Sequence, residues 1–443
     1  MDHILHIGID DTDSMRGGCT TYVAAILVEK LSRLGLNFVD YPNLIRLNPN
    51  VPWKTRGNGA VCLRVSGRRN FEDIHETVID VVEGESDLEA RGTDPGILFF
   101  EGKTIPRGLR EFSKRVTQDV VRLSEALVLI RKFKAYAVGF KKGRGIIGAL
   151  AAVGNDLMED HTYELIAYRV LKNRGKPRKV NSDSVFHMDN ETRGVTFSNV
   201  DWESRRILIT PRGPDPVLYG IRGESPEVVG RAHEIVIADE EVERWVIFRT
   251  NQGTDAHLAK VRKISVFRPF RSAIVVGIVA NKPKTIPGGH VIFALEDPTG
   301  KIDCAAYEPT GRFREVAKKL VEGDVVEVYG GVRPASSSHP LTINLEKMKI
   351  IKLASRLVYQ SPLCPNCGKR MTSMGRNKGY RCDGCHYRDP KARRTPVEIK
   401  RDVSLDLCMP PPRAHRHLTK PLSRYGKEKS GFQGINYGPW RYP

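Results

Sequence analysis

The sequence predicts a multidomain α+β chain: an N-terminal half of alternating strands and helices, then an OB-fold barrel, then a zinc ribbon. Three observations predict it. An aspartate cluster lies between an apolar run and an amphipathic stretch near the N-terminus. Residues 264–353 read as three strands, a helix and two strands. Two C-x-x-C pairs follow within residues 364–385. A chain of 443 residues has room for about three or four domains.

Composition narrows the function. Lys plus Arg number 71 against 52 acidic residues, a net charge of +19. That surplus points to a polyanionic partner, most simply nucleic acid, with an unspecialised basic surface as the alternative. The longest apolar stretch, IIGALAAVG, is too short to cross a membrane, and no signal-peptide pattern opens the chain. Of eight cysteines, four form the two pairs, while Cys19, Cys62, Cys304 and Cys408 are scattered. This distribution suits a metal site in a reducing cytoplasm better than a disulfide framework.

Residues 1–128 form the first expected unit. ILHIGI reads as a buried strand, and TTYVAAILVEKLSRLGL as a helix capped by a threonine. GIDDTDSMRGGCTT, between them, places Asp10, Asp11 and Asp13 at the carboxyl end of the strand, an edge where α/β sheets bind ligands. Three clustered carboxylates repel one another, and a hard cation is the usual offset. Mg²⁺ bound by one or two Asp completes its shell with water and phosphate oxygens. Gly17 and Gly18 let the backbone approach a phosphate, and Thr20 and Thr21 add hydroxyls. The bland alternative, a cap, an Asx-turn and turning glycines, suits a single Asp better than three.

NPNVPWKTRGNG (48–59) is a loop by composition. Lys54 and Arg56 beside Trp53 would suit ATP phosphates, although the loop lacks the Walker pattern and a solvated loop is the competing reading. GTDPG (92–96) could hold Asp94 nearby. Residues 129–255 continue as mixed α/β. KKGRGIIGALAAVGND (141–156) matches no phosphate-loop spacing and reads as close helix packing first, with a ligand-facing turn as the alternative. TPRGPDPVLYGIRGESPE (210–227) reads as a long Pro/Gly-rich loop carrying Asp215, Glu224 and Glu227. In EVERWVIFRTNQGTDAHL (241–258), Arg249, Asn251 and Gln252 suit hydrogen bonding to a nucleic acid backbone, or an ordinary linker.

The barrel of residues 264–353 has the order of an OB-fold, which commonly binds single-stranded nucleic acid. In the ribbon, 358–390, Cys364/Cys367 and Cys382/Cys385 are separated by fourteen residues. Two turns joined by a hairpin would close a tetrahedral Zn²⁺ shell, structural because no position stays open. Lys369, Arg370, Arg376, Lys378 and Arg381 crowd the hairpin. The tail, 391–443, is basic, with Tyr425, Phe432, Tyr437, Trp440 and Tyr442 interleaved. It is expected to be partly disordered and to order on RNA through phosphate pairing and base stacking.

The combination resembles the archaeal agmatinylcytidine synthetases that act on the minor, AUA-reading isoleucine tRNA. GIDDTDSMRGGCTT, NPNVPWKTRGNG, GPDPVLYGIRGE, the ribbon cysteines and PPPRAHRHLTKPL carry the resemblance, which covers essentially the whole chain. It implies an unusual kinase-like first domain, a ferredoxin-like second domain that helps bind agmatine, and a barrel and ribbon that hold the tRNA. It implies that ATP, consumed to AMP and two phosphates, phosphorylates the C2 oxygen of the wobble cytidine in a CAU anticodon. Agmatine then displaces phosphate, and AUA is read instead of AUG. It implies autophosphorylation of a threonine that matches Thr20; no protein partner is implied.

The chemistry agrees: a carbonyl oxygen leaves poorly until phosphorylated, and phosphoryl transfer needs mostly positioning and charge neutralisation. Asp10, Asp11 and Asp13 with Mg²⁺ can supply these, with Lys54 as phosphate clamp. The guanidinium of agmatine wants a carboxylate, and Asp215 or Glu224 is the candidate. Two rivals remain at this point: a metal-dependent RNA phosphoesterase or nuclease, and an RNA-binding protein without catalysis.

Overall fold

A computed structural model describes residues 4–67, 70–258 and 261–443. Its first two units share one ten-stranded sheet. In order across the sheet run Val217–Gly223, Thr162–Arg169, Val242–Thr250, Asn43–Arg46, Gly59–Ser66, Ile4–Asp10, Gly96–Glu101 and Tyr136–Gly139. Every neighbouring pair along it is antiparallel except one. Arg249 and Thr250 run parallel to Asn43 and Leu44, and this pairing joins the two units. The helix Leu123–Lys132 runs through position 128, the expected boundary.

The strand Ile4–Asp10 is central, paired with Gly59–Ser66 on one side and Gly96–Glu101 on the other. Its alternation decides both faces. Ile7 and Ile9 pack with Val23, Leu27 and Val78 from the helices Thr20–Arg33 and Phe71–Glu85. Gly8 faces the other layer, where the helix Ile146–Gly154 lies directly on the strand. A Cβ at Gly8 would sit 2.2 Å from the Ala149 carbonyl oxygen. The 141–156 stretch is therefore a packing element, and Arg144, Ile147 and Gly148 of it also face the cavity described below. The helix Thr20–Arg33 has Cys19 at its N-cap and no side-chain cap, against the expected threonine cap. Thr20 begins the helix instead, its hydroxyl 3.0 Å from that of Thr12.

Residues 210–227 are not one long loop. Only the start is irregular; Val217–Gly223 is a sheet strand, and Ser225 caps the helix Pro226–Ile235. The glycines of VLYGIRG reflect close approach of neighbours: a Cβ at Gly220 would sit 2.8 Å from Glu164 Oε1. Arg249, Asn251 and Gln252 are not offered to nucleic acid either. All three are buried, and Arg249 pairs with Asp40 at 3.1 Å.

The barrel comprises Ser272–Val279, His290–Asp297, Gly300–Ala306, the helix Arg312–Lys318, Val325–Arg333 and Thr342–Lys352. It closes around Val275, Phe293, Phe313, Val328 and Met348. The ribbon folds as a hairpin, Thr372–Ser373 with Tyr380–Arg381, and adds Arg388–Asp389. Its five basic residues are exposed.

The tail is the largest departure from expectation. Rather than waiting for RNA, it wraps the protein. Leu407–Cys408 pairs with the last barrel strand, and Arg441–Tyr442 pairs with Trp245 and Val246 of the large sheet. Trp440 packs edge-on against Phe38 and Tyr41. Six of its basic side chains are matched to carboxylates: Arg401 to Asp324, Arg413 to Asp201, Arg416 to Glu346, Lys420 to Asp160, Arg424 to Glu224 and Lys429 to Glu224. Composition cannot distinguish a basic segment that seeks phosphates from one that meets acidic partners elsewhere in its own chain.

Candidate active site

The central strand delivers Asp10 at its end, and the chain turns sharply there. Asp11 has φ 62°, a left-handed conformation that a short polar side chain tolerates. This turn aims successive carboxylates into a cavity of about 390 Å³. Asp10 lies against Gly148, where a Cβ would come within 1.9 Å of Asp10 Oδ2. Asp11 Oδ2 accepts from Arg144 Nη2 at 2.7 Å, Arg144 Nε at 3.1 Å and the Asp94 amide at 3.2 Å. Asp13 Oδ2 pairs with Arg56 Nη2 at 3.1 Å. The Thr93 hydroxyl donates to the Asp13 carbonyl.

All three carboxyls resist ionisation. Burial pushes Asp10 well above its ordinary range, and the charges of Asp11 and Asp13 push it further. Burial raises Asp11 to about 6 against the pull of Arg144. Burial also raises Asp13, opposed by Arg56 and reinforced by Asp215. Such a cluster suits a hard cation, whose charge offsets both penalties.

The loop 48–59 faces these aspartates. Lys54 and Arg56 both line the cavity with Trp53. Arg56 Nη2 also donates to the Gly18 carbonyl at 2.6 Å. Lys54 is exposed, and partial desolvation first, then Arg416, lowers its pKa. Thr20 lines the same cavity. Gly17 and Gly18 turn the chain behind the aspartates and are not among the lining residues. Gly18 has φ +74°, with Thr12 O only 3.0 Å from where a Cβ would lie.

Asp215 and Glu224 are separated. Asp215 lines the cavity, held by Arg178 at 3.2 Å. Glu224 does not line it; its carboxylate is taken by Arg424 Nε at 2.6 Å and Lys429 at 2.9 Å. Of the two, the structure leaves Asp215 facing the cavity.

A further group on the cavity wall escaped sequence reasoning. Glu164, Arg46, Arg222 and His417 line it together, and Gln252 bonds both Glu164 and His417. One signal was available: Glu164 is a charge inside TYELIAYR, a strand buried along its whole length. His417 was marked only by its place in PPPRAHRHLTKPL, one of the stretches that carry the resemblance; nothing local ties it to this wall.

In the ribbon, Cys364, Cys367, Cys382 and Cys385 bring four sulfurs within 4.8 Å of one another. Two Sγ pairs are 3.4 Å apart. Tetrahedral zinc with bonds near 2.3 Å needs sulfurs about 3.8 Å apart, so the donor set fits zinc and leaves no open position. Among the described residues no helix is long and apolar enough to cross a membrane.

These features define a class: a multidomain α+β protein with a charged ligand cavity and appended modules of nucleic-acid-binding type. Known proteins refine it. Family models for the TiaS TCKD domain match residues 6–142, the TiaS FLD domain 143–257, an OB-fold nucleic acid binding domain 273–351 and the TiaS C-terminal zinc ribbon domain 361–403. The isoleucine-tRNA 2-agmatinylcytidine synthetase TiaS of Staphylothermus marinus is 45% identical, the match covering 97% of this chain and 95% of that one. Its counterpart in Pyrococcus horikoshii is 46% identical over 95% and 97%. A crystal structure of TiaS in complex with its isoleucine tRNA, AMPCPP and agmatine superposes with a TM-score of 0.83 at 39% identity, covering 95% of this chain and 97% of that one. The chain belongs to the TiaS family.

Proposed function

We propose that this protein is an ATP-dependent ligase that attaches agmatine to C2 of the wobble cytidine in the CAU anticodon of isoleucine tRNA. The observation that carries the reading is the convergence of Asp10, Asp11, Asp13, Arg56 and Asp215 on one cavity, in a chain whose relatives are named for this reaction.

The residues divide the work. Asp10, Asp11 and Asp13 would hold Mg²⁺, which when bound neutralises phosphate charge. Lys54 and Arg56 clamp ATP phosphates from the facing loop. Thr20, at the start of its helix on the same cavity, would accept the phosphoryl group in autophosphorylation. The cytidine C2 oxygen takes a phosphoryl group; the agmatine amine then bonds to C2, and the C2–O bond breaks as phosphate leaves with that oxygen. Asp215 receives the agmatine guanidinium. Flipping an unpaired anticodon base into the cavity costs little. The barrel and the zinc ribbon, with its exposed basic residues, hold the tRNA. We place the reaction in the cytoplasm.

Mass spectrometry of the anticodon nucleoside tests the reading. Protein is incubated with ATP, Mg²⁺, agmatine and a CAU-anticodon isoleucine tRNA transcript. An agmatine adduct that depends on ATP is expected. Shortened or dephosphorylated RNA would point instead to a phosphoesterase, and intact, merely bound RNA to a binding module.

A further inference from the structure

One wall of the cavity carries more positive charge than the protein neutralises. Arg222 Nε donates to Glu164 at 3.2 Å, and Arg46 Nη2 stands 3.5 Å from the same carboxylate. Gln252 donates to it as well. Two guanidinium groups thus share one carboxylate that is already engaged. Arg46 Nε is buried without a hydrogen-bond partner, and burial works against its charge.

Four other carboxylates on the cavity wall do not correct the imbalance. Asp11 is committed to Arg144, Asp13 to Arg56, Asp215 to Arg178 and Asp119 to Arg271. His417 adds no charge: Arg46, burial and Arg222 together hold it well below its ordinary range. A buried guanidinium that shares its only carboxylate and leaves an N–H unpaired is costly, so an arginine retained in this state is poised for a ligand anion.

The arginine is also preset. The backbone of Arg46 is fixed by Asn251, whose side chain accepts from its amide at 2.8 Å and donates to its carbonyl at 3.0 Å. The loop above is bare where the guanidinium passes. A Cβ at Gly57 would lie 2.8 Å from Arg46 Nη1 and 3.0 Å from His417 Nε2.

We propose that Arg46 and Arg222 form a phosphate subsite on the cavity wall, which receives one phosphate group of a bound substrate. The inference rests on the functional reading above, and the phosphate comes from ATP or from the RNA backbone beside the target nucleotide. The two sources share one chemistry: a planar guanidinium fork pairing with phosphate oxygens.

The test compares the full-length protein with Arg46→Met and Arg46→Lys. Three quantities are read: thermal midpoint, affinity for AMPCPP, and affinity for the CAU-anticodon isoleucine tRNA at fixed salt. Arg46→Met removes an undercompensated buried charge, so its midpoint stays level or rises. Affinity for one ligand falls roughly tenfold or more, and Arg46→Lys restores part of it. Loss confined to AMPCPP assigns the subsite to ATP, and loss confined to tRNA assigns it to the RNA backbone. Unchanged affinity for both ligands, or a lowered midpoint, overturns the proposal and makes Arg46 a structural residue. Wild-type protein carried through the agmatine assay in parallel tests the function separately. No adduct there sinks the functional reading; an adduct with unaltered Arg46→Met affinities sinks only the subsite.

Discussion

Arg144 grips Asp11 from two atoms, Nη2 at 2.7 Å and Nε at 3.1 Å, so a residue 133 positions away sets the aim of the second aspartate. Replacing Asp11 by Asn removes the charge and keeps the size. Asp11→Asn is expected to abolish transfer of labelled γ-phosphate while tRNA affinity stays near that of the wild type. Undiminished transfer would take Asp11 out of the catalytic cluster.

Asp10 is positioned by absence of a side chain. Gly148→Ala puts a methyl group where Asp10 Oδ2 lies, and one of them must move. A displacement near 1 Å costs about a hundredfold in rate. The expected result is a fall in kcat of that order with AMPCPP and tRNA affinities largely kept; full activity would mean that Asp10 need not hold this place.

Zinc removal should act locally. Cys364 and Cys382 form a small core of their own with Met371 and Tyr380, apart from the large sheet. Cys367→Ser, or chelation, is expected to unfold the ribbon and weaken tRNA binding while the main calorimetric transition persists. Metal analysis should give one zinc per wild-type chain and a deficit in the variant. Wild-type tRNA affinity after verified zinc loss would contradict a role for the ribbon in holding RNA.

Arg424 tests the reassigned tail. It is almost wholly buried and donates to Asp160, Glu224 and the Gly253 carbonyl. Arg424→Met leaves Asp160 to Lys420 and Glu224 to Lys429, so the cost is that of the lost charged hydrogen bonds, about 1.5–3 kcal/mol. Urea denaturation should show that loss, while tRNA affinity of the folded protein changes little. Preserved stability with a large loss of RNA affinity would return this part of the tail to the RNA interface.

His233 supplies a pH dependence. Burial lowers its pKa to about 4, and its Nδ1 lies 2.8 Å from the Tyr219 hydroxyl. The unfolded chain binds a proton below about pH 6.5, whereas the folded protein refuses it until about pH 4. Its contribution is therefore present above pH 6.5 and is lost as the pH falls towards 4. Relative to His233→Gln, the wild type should lose about 3 kcal/mol across that window in urea titrations. Parallel pH profiles would show that His233 does not titrate this way.

Much of this was legible because it is local. The aspartate turn, the barrel order and the paired cysteines each occupy one stretch of sequence, and their chemistry follows from residue type and spacing. The wall around Glu164 was not legible in the same way. Its members come from positions 46, 164, 222, 252 and 417, and no short window contains two of them. The tail was misread for a related reason: Arg424 looks like a free cation until Asp160 and Glu224 are brought beside it. VLYGIRG was read as loop because its glycines suggest turns, whereas Gly220 is required by the carboxylate of Glu164 across the sheet.

The tail's route has a consequence for synthesis. His417 stands on the cavity wall, its backbone carbonyl accepts from the Gly253 amide, and Arg416 reaches the Pro49 carbonyl. A ribosome makes residue 417 long after the aspartates and the sheet around them. The emerging chain can therefore bring Asp10, Asp11 and Asp13 together early, yet the cavity wall lacks His417 until the tail is made.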